Sequence, residues 1–270
     1  MPISTLATDL DGTLIPVDSS PQQLASVRKL KQHVDEFGLR LVFVTGRSLE
    51  LALDAIHDFD LPEPDHILCN VGSTTADLSS NGTYSENSAY QAVIAERQQG
   101  WTNERIRVSL LEMIPCLSPQ PDSKQTDFKC SFDFAADYFS SVRSVVEDWI
   151  ETMRLPLTPI ISVDPETDNG LLDILPAGIN KGFALRWWAG QSNLPLDSIV
   201  FCGDSGNDSA AMAIGVRGVL VGNADEQVRE ETEQNADGSG RIYFANGVGP
   251  QGVFEGLLHH QGQTRFSQST

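Results

Sequence analysis

Hydrophobic residues in the first part of the chain follow two patterns, short continuous runs and helical spacing. The continuous runs are rich in β-branched residues and predict buried strands at 3–10, 39–44 and 67–71. Between the first two runs, Ser20 and Pro21 favour the start of a helix with one apolar face, and Gly38 favours its end. A second helix is predicted over 48–57. This order is typical of a parallel sheet with right-handed crossovers.

The same alternation returns in the last part of the chain, after a central region with a different rhythm. The later strands are predicted at 171–175, 198–202, 218–221 and 242–244, and the helices after Asn180 and near 207–213, 225–234 and 253–259. The central region mixes predicted helices at 88–99 and 137–153 with predicted strands at 129–134 and 157–163. We therefore expect an α/β fold, in which residues 1–78 and 169–270 form a Rossmann-like core with a parallel sheet and residues 79–168 form a smaller, inserted α+β cap domain.

Composition and charge narrow the possible functions. The chain has 270 residues, with 18 basic and 37 acidic side chains and a formal net charge of −19. This charge argues against nucleic acids and anionic membranes as partners, because both would repel such a surface. An acidic protein can still act on an anionic substrate when it holds a divalent cation in its site.

The cysteines and the apolar runs indicate the cellular setting. The four cysteines form no CxxC pair, which argues against a zinc knuckle or a disulfide framework. No run approaches the roughly 18–20 apolar residues of a membrane span, and the N-terminus lacks a secretory pattern. We expect a cytoplasmic protein without a membrane partner, as a monomer or a weak dimer.

The first candidate site follows the first predicted strand and carries two carboxylates, Asp9 and Asp11. Ligands of open α/β sheets bind beyond the carboxyl ends of the strands, so both side chains are expected in that crevice. Two acids this close favour either a bound cation or a division of labour between a nucleophile and a proton carrier. The alternative is a turn-forming Asp-Gly pair with an incidental acid nearby.

The second and third candidate sites suit a phosphate group. Thr45, between a predicted strand and a predicted helix, offers a hydroxyl beside helix N-terminal amides, a combination that binds phosphate oxygens. Lys181 lies at the start of a later helix and can neutralise charge on a phosphoryl group. The alternatives are an ordinary helix cap for Thr45 and a solvated surface lysine for Lys181.

The fourth candidate site comes directly after the predicted strand 198–202. Asp204 and Asp208 lie on a glycine-rich turn, and paired carboxylates of this kind suit a small hard cation such as Mg²⁺. The alternative is a loop that caps the next helix through Asn207 or Asp208. The presence of all four sites at the ends of strands in one predicted sheet favours a shared catalytic centre.

The short sequences that carry these four candidate sites, taken in this order, resemble the motifs of the haloacid dehalogenase (HAD) superfamily. The resemblance covers roughly the whole chain and implies Asp9 as the nucleophile and Asp11 as the general acid and base. It implies that Thr45 and Lys181 complete the catalytic set by binding the phosphate. It also implies Mg²⁺ as the cofactor, held by Asp9, Asp11 through its carbonyl, Asp204 and Asp208.

The spacing of the motifs indicates a subtype. Residues 12–44 leave room for one helix and one strand, whereas residues 46–180 are far more than such a unit requires, so the cap is expected in the second gap. This arrangement is similar to the HAD branch that carries an α+β lid between motifs two and three and acts on sugar phosphates. Within that branch, the motif strings look most like those of the sucrose-phosphate phosphatases.

This resemblance implies hydrolysis of sucrose 6-phosphate to sucrose and phosphate through a phosphoaspartate intermediate. The sugar phosphate is the implied small-molecule partner, and the residues expected to bind it are Thr45, Gly46, Arg47, Lys129, Ser131, Asp173, Lys181 and Asn207. Phosphatases of mannosylfructose-phosphate, glucosylglycerol-phosphate and trehalose-phosphate share the chemistry and stay open as alternatives, as does a sugar phosphomutase. A non-catalytic sugar-binding subunit would lack one of the motif acids, and this chain has all of them.

Overall fold

The strands form two sheets. The computed structural model of the protein describes residues 1–79, 82–164, 167–235 and 241–267. In chain order the strands are β1 (Thr5–Thr8), β2 (Arg40–Val44), β3 (His66–Cys69), β4 (Thr74–Leu78), β5 (Tyr84–Glu86), β6 (Ser118–Pro119), β7 (Cys130–Phe134), β8 (Leu157–Val163), β9 (Gly170–Pro176), β10 (Ile199–Gly203), β11 (Arg217–Leu220) and β12 (Ile242–Phe244). The larger sheet has the order β12-β11-β10-β1-β2-β3-β4-β5, and the smaller sheet has the order β6-β7-β9-β8.

Helices cover both faces of the larger sheet. In chain order the helices are α1 (Pro21–Phe37), α2 (Leu49–Asp58), α3 (Ser88–Gln98), α4 (Asn103–Met113), α5 (Phe139–Met153), α6 (Lys181–Gln191), α7 (Ser209–Met212), α8 (Glu226–Asn235) and α9 (Pro250–Ser267). Helices α1, α2 and α9 contribute to the apolar cluster on one face, and α3, α6 and α7 contribute to the cluster on the other. Leu6 and Ala7 are adjacent in β1 yet belong to different clusters, because successive side chains of a strand point to opposite faces.

The predicted parallel sheet is confirmed for the six strands from β12 to β3. Strand β1 is buried along its whole length between β10 and β2, which explains its continuous apolar sequence. Strands β4 and β5 extend the sheet in the antiparallel direction and were not predicted. Their sequences are short and largely polar, so neither shows the apolar run of a buried strand.

The predicted helix caps set the length of the connection between β1 and β2. Ser20 accepts a hydrogen bond from the amide of Gln23 at the start of α1, and Gly38 adopts a φ of 58° at its end. The chain can therefore turn directly from α1 into β2, which leaves no room for an inserted domain in this gap.

The smaller sheet is covered on one face by α4 and α5. Ile106 of α4 and Val142 of α5 are buried in one cluster with Phe132 of β7. Strands β7 and β8 and helix α5 agree closely with their predicted ranges. Helix α4 was not predicted, because only Ile106 and Leu110 of its residues are buried and its apolar spacing is therefore weak.

The pairing of the strands differs from the predicted cap boundaries at both ends of 79–168. Strand β5 pairs with β4 in the larger sheet, and Tyr90 and Ile94 of α3 pack in the apolar cluster of that sheet. Strand β9 pairs with β7 and β8, so Gly170–Pro176 belongs to the smaller sheet. In both cases an antiparallel pair joins a strand on one side of a predicted boundary to a strand on the other side, so the change in sequence pattern does not mark the end of a sheet. The division into a core and a cap stays a prediction.

Two further expectations concern features of the whole chain. None of the helices in the described part of the chain is long and apolar enough to cross a membrane. Cys69, Cys116, Cys130 and Cys202 are all free, and three of them are buried.

Candidate active site

The carboxyl ends of the central parallel strands lie along one edge of the larger sheet. Asp9 follows β1, Thr45 follows β2, and Asp204 follows β10. Thr8, the last residue of β1, lies in register with residues near the ends of both neighbouring strands. Residues that are far apart in the sequence therefore meet at one edge, where open α/β sheets bind their ligands.

Lys181 is fully buried and joins two of the carboxylates. Its Nζ donates to Oδ2 of Asp9 over 2.7 Å and to Oδ1 of Asp208 over 2.8 Å. The other oxygen of Asp9 accepts a hydrogen bond from the backbone amide of Leu10 over 2.7 Å. Lys181 is the first residue of α6, whose N-cap is Asn180. The alternative of a solvated surface lysine is therefore wrong.

Asp208 is held by both of its oxygens and fixes the turn that carries Asp204. Its Oδ2 accepts from the backbone amides of Asp204 and Ser205, each over 3.1 Å, while its Oδ1 accepts from Lys181. A Cβ at Gly203 would lie 2.4 Å from the carboxyl carbon of Asp208, so only glycine leaves enough space there. Asp208 is therefore well placed to support this site, with Asp204 facing the other acids.

Asp204 contacts the turn that follows β1. Its Oδ1 accepts a hydrogen bond from the hydroxyl of Thr13 over 2.8 Å. Gly12 adopts a φ of 68°, and a Cβ at this position would lie 2.3 Å from Oδ2 of Asp204. Glycine is therefore needed both for the left-handed backbone and for the close approach. Thr13 was not among the predicted site residues, although it belongs to the same short string as Asp11.

Burial and crowding shift the pKa values of these groups. Burial raises the pKa of Asp204 to about 7, and the charge of Asp208 adds to this effect. Burial also raises the pKa of Asp9; the charge of Lys181 opposes that rise, and the charges of the other acids add to it. Burial would lower the pKa of Lys181, but the charges of Asp208 and Asp9 outweigh burial and raise it. One lysine therefore does not balance the negative charge of this cluster.

The acidic cluster fits a divalent cation. Asp9, Asp204 and Asp208 each offer a carboxylate oxygen, and these oxygens lie within 4.8 Å of one another. Carboxylate oxygens are ligands that Mg²⁺ prefers, and a cation would offset the repulsion that raises the pKa values of the acids. Oδ1 of Asn207 is also buried and lacks a hydrogen-bond partner in the described part of the chain.

The carboxylate of Asp11 does not belong to this cluster and pairs with Arg47. Nε of Arg47 donates to the two oxygens of Asp11 over 3.0 and 2.9 Å, and Nη2 donates to Oδ1 over 2.6 Å. Such a charge-assisted pair fixes the orientation of the carboxylate. The predicted contact between the Asp11 carbonyl and a metal concerns the backbone and stays a prediction. The pairing itself was not predicted, because Arg47 was expected to contact the substrate.

Thr45 and Gly46 form a short loop between β2 and α2. Thr45 is fully buried, and its Oγ1 accepts a hydrogen bond from the amide of Arg47 over 3.1 Å. The Thr45 amide donates to the carbonyl of Leu68 over 2.8 Å, and the Thr45 carbonyl accepts from the amide of Val71 over 3.1 Å. The loop is therefore fixed by β3 and by the turn that follows it.

A cavity of about 320 Å³ lies between the two sheets. We call its lining from the larger sheet the floor, which contains Asp9, Asp11, Gly46, Arg47, Asp204 and Asn207. We call its lining from the smaller sheet and the nearby loops the roof, which contains Gln120, Lys124, Lys129, Ser162, Leu171 and Asp173. Strand β8 contacts the turn Gly206–Asp208, so the smaller sheet covers the acidic cluster.

The roof brings together the residues predicted on β7 and β9. Ser131 and Asp173 lie opposite each other in register, and the Ser131 hydroxyl donates to Oδ1 of Asp173. Asp173 lines the cavity, whereas Ser131 is fully buried behind it. Lys129 also lines the cavity, with 4% of its surface exposed, and forms no ion pair among the described residues. Asp173 and Lys129 can therefore contact a ligand, and Ser131 acts on Asp173.

The comparisons with known proteins agree with this geometry. A family model described as sucrose-6F-phosphate phosphohydrolase matches residues 2–261. The chain belongs to this family. A mannosylfructose-phosphate phosphatase of Agrobacterium fabrum is 28% identical over 96% of this chain and 97% of its own length. A protein of Nitrosococcus oceani described as a HAD-like hydrolase is 31% identical over 98% of this chain and 74% of its own length.

A solved structure shares the fold of this member of the sucrose-6F-phosphate phosphohydrolase family. The sucrose-phosphatase of Synechocystis, determined with sucrose and phosphate, superposes with a TM-score of 0.81 over 96% of this chain and 98% of that one, at 24% identity. The family and the structural similarity together identify the chain as a HAD-type phosphatase, that is, a phosphoric monoester hydrolase.

Sequence reasoning missed several roof residues of this phosphatase. Gln120, Lys124 and Ser162 line the cavity, and Gln125 supports it by donating to the carbonyls of Gln120 and Ser131 over 3.0 and 2.8 Å. These residues lie in loops or at a strand end, where hydrophobic periodicity carries no information. One signal was present, since Lys124 and Lys129 are the two lysines of the region 79–168.

Proposed function

We propose that this phosphatase hydrolyses sucrose 6F-phosphate to sucrose and inorganic phosphate, with Asp9 as the nucleophile and Mg²⁺ as the cofactor. The observation that carries the proposal is the position of the Asp9 carboxylate. It lines the cavity, Lys181 and the Leu10 amide fix its two oxygens, and Asp204 lies beside it. A nucleophile held in this way is oriented before the substrate arrives.

In the first step, an oxygen of Asp9 attacks the phosphorus atom, and the bond between phosphorus and the sugar oxygen breaks. Asp11 donates a proton to the departing oxygen, which leaves as a sugar hydroxyl. The enzyme then carries a phosphoaspartate at Asp9. The Nζ of Lys181 has three N–H donors, of which Asp9 and Asp208 use two, so one donor is left for a phosphoryl oxygen.

In the second step, a water molecule attacks the phosphorus atom of the phosphoaspartate. Asp11 accepts a proton from this water, the bond to Asp9 breaks, and inorganic phosphate leaves. Arg47 supports the second step, in which the ionised Asp11 accepts the proton, by orienting this carboxylate through its Nε and Nη2. Thr45 helps to shape the loop beside the phosphate through its bond to the amide of Arg47.

The cation has a defined place in this scheme. Asp9 and Asp204 would hold Mg²⁺ together with the backbone carbonyl of Asp11. Asp208 would support the site by accepting a hydrogen bond from the amide of Asp204. When bound, Mg²⁺ supplies positive charge that offsets the repulsion between the carboxylates and the anionic substrate. The raised pKa values of Asp9 and Asp204 support this assignment, because burial and then the charges of the neighbouring acids disfavour the ionised carboxylates, and a cation would offset both effects.

The sugar is expected to contact the roof. Asp173 has one oxygen bound to Ser131, so its other oxygen is available to accept from a sugar hydroxyl. Lys129 offers an amine that lines the cavity and can donate to sugar or phosphate oxygens. Asn207, in the floor, offers a buried oxygen that has no partner among the described residues. These groups supply both donors and acceptors, as recognition of a polyhydroxylated ligand requires.

Mannosylfructose-phosphate is a second candidate substrate. The Agrobacterium relative that is named for this substrate matches this chain over 97% of its own length. Mannose and glucose differ in the configuration of one hydroxyl group. Discrimination between the two disaccharide phosphates would therefore depend on a single polar contact in the roof, such as one with Asp173.

The test is a phosphate-release assay with the purified protein, Mg²⁺ and no bisphosphate activator. We expect kcat/KM for sucrose 6F-phosphate to exceed that for mannosylfructose-phosphate and glucose 6-phosphate by about tenfold or more, since one lost polar contact has an effect of this size. EDTA should abolish the activity, and added Mg²⁺ should restore it. Faster phosphate release from mannosylfructose-phosphate would make that compound, and not sucrose 6F-phosphate, the preferred substrate. No release from either disaccharide phosphate would refute the proposal.

A variant pair tests the role of Asp9. Asp9→Asn should fold normally and lose phosphate release by about 10³-fold or more, because the amide is not a nucleophile. Asp35→Asn removes the same charge from an exposed position on α1 and should keep the wild-type rate. Equal activity of Asp9→Asn and Asp35→Asn would remove Asp9 from the mechanism.

A further inference from the structure

The turn after β3 holds a β-branched residue in a backbone conformation that such residues rarely adopt. Asn70, Val71 and Gly72 have φ values of 52°, 58° and 90°. Left-handed backbone is accessible to glycine and tolerated by asparagine, but it is strained for valine. Strained residues of this kind persist where the surrounding structure enforces them, and they concentrate at functional sites.

The strained turn is held from two sides, by the loop that follows β2 and by the start of α6. The amide of Asn70 donates to the carbonyl of Arg47 over 2.8 Å, and the amide of Val71 donates to the carbonyl of Thr45 over 3.1 Å. On the other side, a Cβ at Gly72 would lie 2.4 Å from the carbonyl oxygen of Asn180, so the turn lies directly against the start of α6.

These two hydrogen bonds also orient two amides of the neighbouring loop. The peptide group is planar and trans, so a carbonyl that points at the turn forces the N–H of the following residue to point away from it. The bond to Thr45 therefore turns the Gly46 amide away from Val71, and the bond to Arg47 turns the Ser48 amide away from Asn70 in the same turn. Gly46 and Ser48 line the cavity, and their amides have no acceptor among the described residues.

The side chain of Val71 adds a packing contact to this arrangement. Val71 is buried, with 2% of its surface exposed, and it lines the same cavity. A Cβ added to Gly46 would lie 3.8 Å from Cγ2 of Val71, which places the valine beside the Gly46 backbone. A glycine at position 71 would satisfy the backbone without strain but would leave this contact empty.

We propose that Val71 is a positioning residue, whose left-handed turn and side chain hold the Gly46 and Ser48 amides toward the phosphate group of the substrate. The inference rests on the proposed function only in taking a phosphate group as the ligand. It explains why the chain keeps valine at a position where glycine would be less strained.

The test compares Val71→Gly, Val71→Ala and Val71→Thr with the wild type. Binding of inorganic phosphate is measured by titration calorimetry in the presence of Mg²⁺, and Mg²⁺ binding is measured separately. We expect Val71→Gly and Val71→Ala to weaken phosphate binding about fivefold or more while Mg²⁺ binding stays within about twofold, because the acids proposed to hold Mg²⁺, Asp9 and Asp204, follow β1 and β10 and not this turn. Val71→Thr keeps the branched shape and should bind phosphate like the wild type.

Melting temperatures distinguish the effect of backbone strain at position 71 from the effect of the lost side-chain contact. Val71→Gly should melt above Val71→Ala, because both lack the contact with Gly46 but only alanine keeps the strain. The inference fails if the glycine and alanine variants bind phosphate as the wild type does, or if Mg²⁺ binding weakens in parallel. If the wild-type protein itself binds no phosphate, the proposed function fails together with this inference.

Discussion

One buried lysine lies behind the floor of the cavity and another lies in its roof, and the two lysines have different surroundings. Behind the floor, Lys181 is fully buried and contacts Asp9 and Asp208 at 2.7 and 2.8 Å. In the roof, Lys129 is nearly as buried, at 4% exposure, but forms no ion pair with any described residue. The charge of Lys181 is therefore used within the protein, whereas the charge of Lys129 faces the cavity.

This difference has a physical meaning for the proposed function. A buried charge without a partner is costly, so an unpaired amine beside a cavity is favourable when a ligand supplies polar or negative groups. The paired amine of Lys181 instead stabilises carboxylates that would otherwise repel one another. The floor thus holds the groups expected to react, and the roof holds groups available for recognition.

The largest expected effect is on the free energy of unfolding, which should respond differently when each of the two lysines is replaced. Lys181→Met leaves Asp9 and Asp208 without their shared cation and should lower the free energy of unfolding by about 3–5 kcal/mol. Lys129→Met removes an unpaired buried charge and should leave that free energy unchanged or raise it. Urea denaturation of both metal-free variants gives the comparison, and equal losses of stability would contradict it.

The next effect concerns recognition by the roof. Asp173→Asn removes a charged acceptor that is expected to contact the sugar in both the ground state and the transition state. The KM for the sugar phosphate should rise about tenfold while kcat stays within about threefold. Asp148→Asn, an exposed acid on α5, is the matched control and should leave both parameters unchanged. A loss confined to kcat would place Asp173 in the chemical step instead.

The smallest effect is a pH dependence of Mg²⁺ binding in the floor. The pKa of Asp204 is raised to about 7, so the folded protein holds a proton there that the cation must displace at lower pH. The ionised fraction of such a group rises about fivefold between pH 6 and pH 7, and the affinity for Mg²⁺ should rise by the same factor. Calorimetric titrations at the two pH values measure it.

The control for this pH effect comes from the roof. Asp173→Asn should keep the same dependence of Mg²⁺ affinity on pH, because Asp173 lies outside the acidic cluster of the floor. The linkage also has a defined sign for stability. Asp204 has a higher pKa in the folded than in the unfolded protein, so its contribution to stability falls as the pH rises toward 7 in the absence of the cation.

Three of the four motif sites were accessible from the sequence because each is a local feature at the end of a strand in the larger sheet, whereas the strand before Lys181, β9, lies in the smaller sheet and not in the predicted parallel one. Asp9, Thr45 and Asp204 directly follow buried strands, and buried strands appear as continuous apolar runs. The meeting of these residues then follows from one rule, since parallel strands end at the same edge of the sheet. Gap lengths alone indicated where additional structure had to be inserted.

Other features depend on contacts between distant segments. The pairing of Arg47 with Asp11 joins two motifs that were expected to have separate tasks. The antiparallel pairs that extend the larger sheet and that bring β9 into the smaller sheet cross the predicted boundaries. The left-handed backbone of Val71 carries no local signal, because valine itself disfavours it.

The sequence by itself determined the α/β class, the parallel direction of the central strands and the acids that follow β1 and β10, because these follow from periodicity and from chemistry carried by neighbouring residues. Only the tertiary structure decided which groups pair, how the roof closes over the floor, and which lysine keeps an unpaired charge. Those outcomes depend on distances between residues such as Lys181 and Asp9 that are far apart along the chain. No local pattern encodes such distances, since packing of the whole molecule sets them.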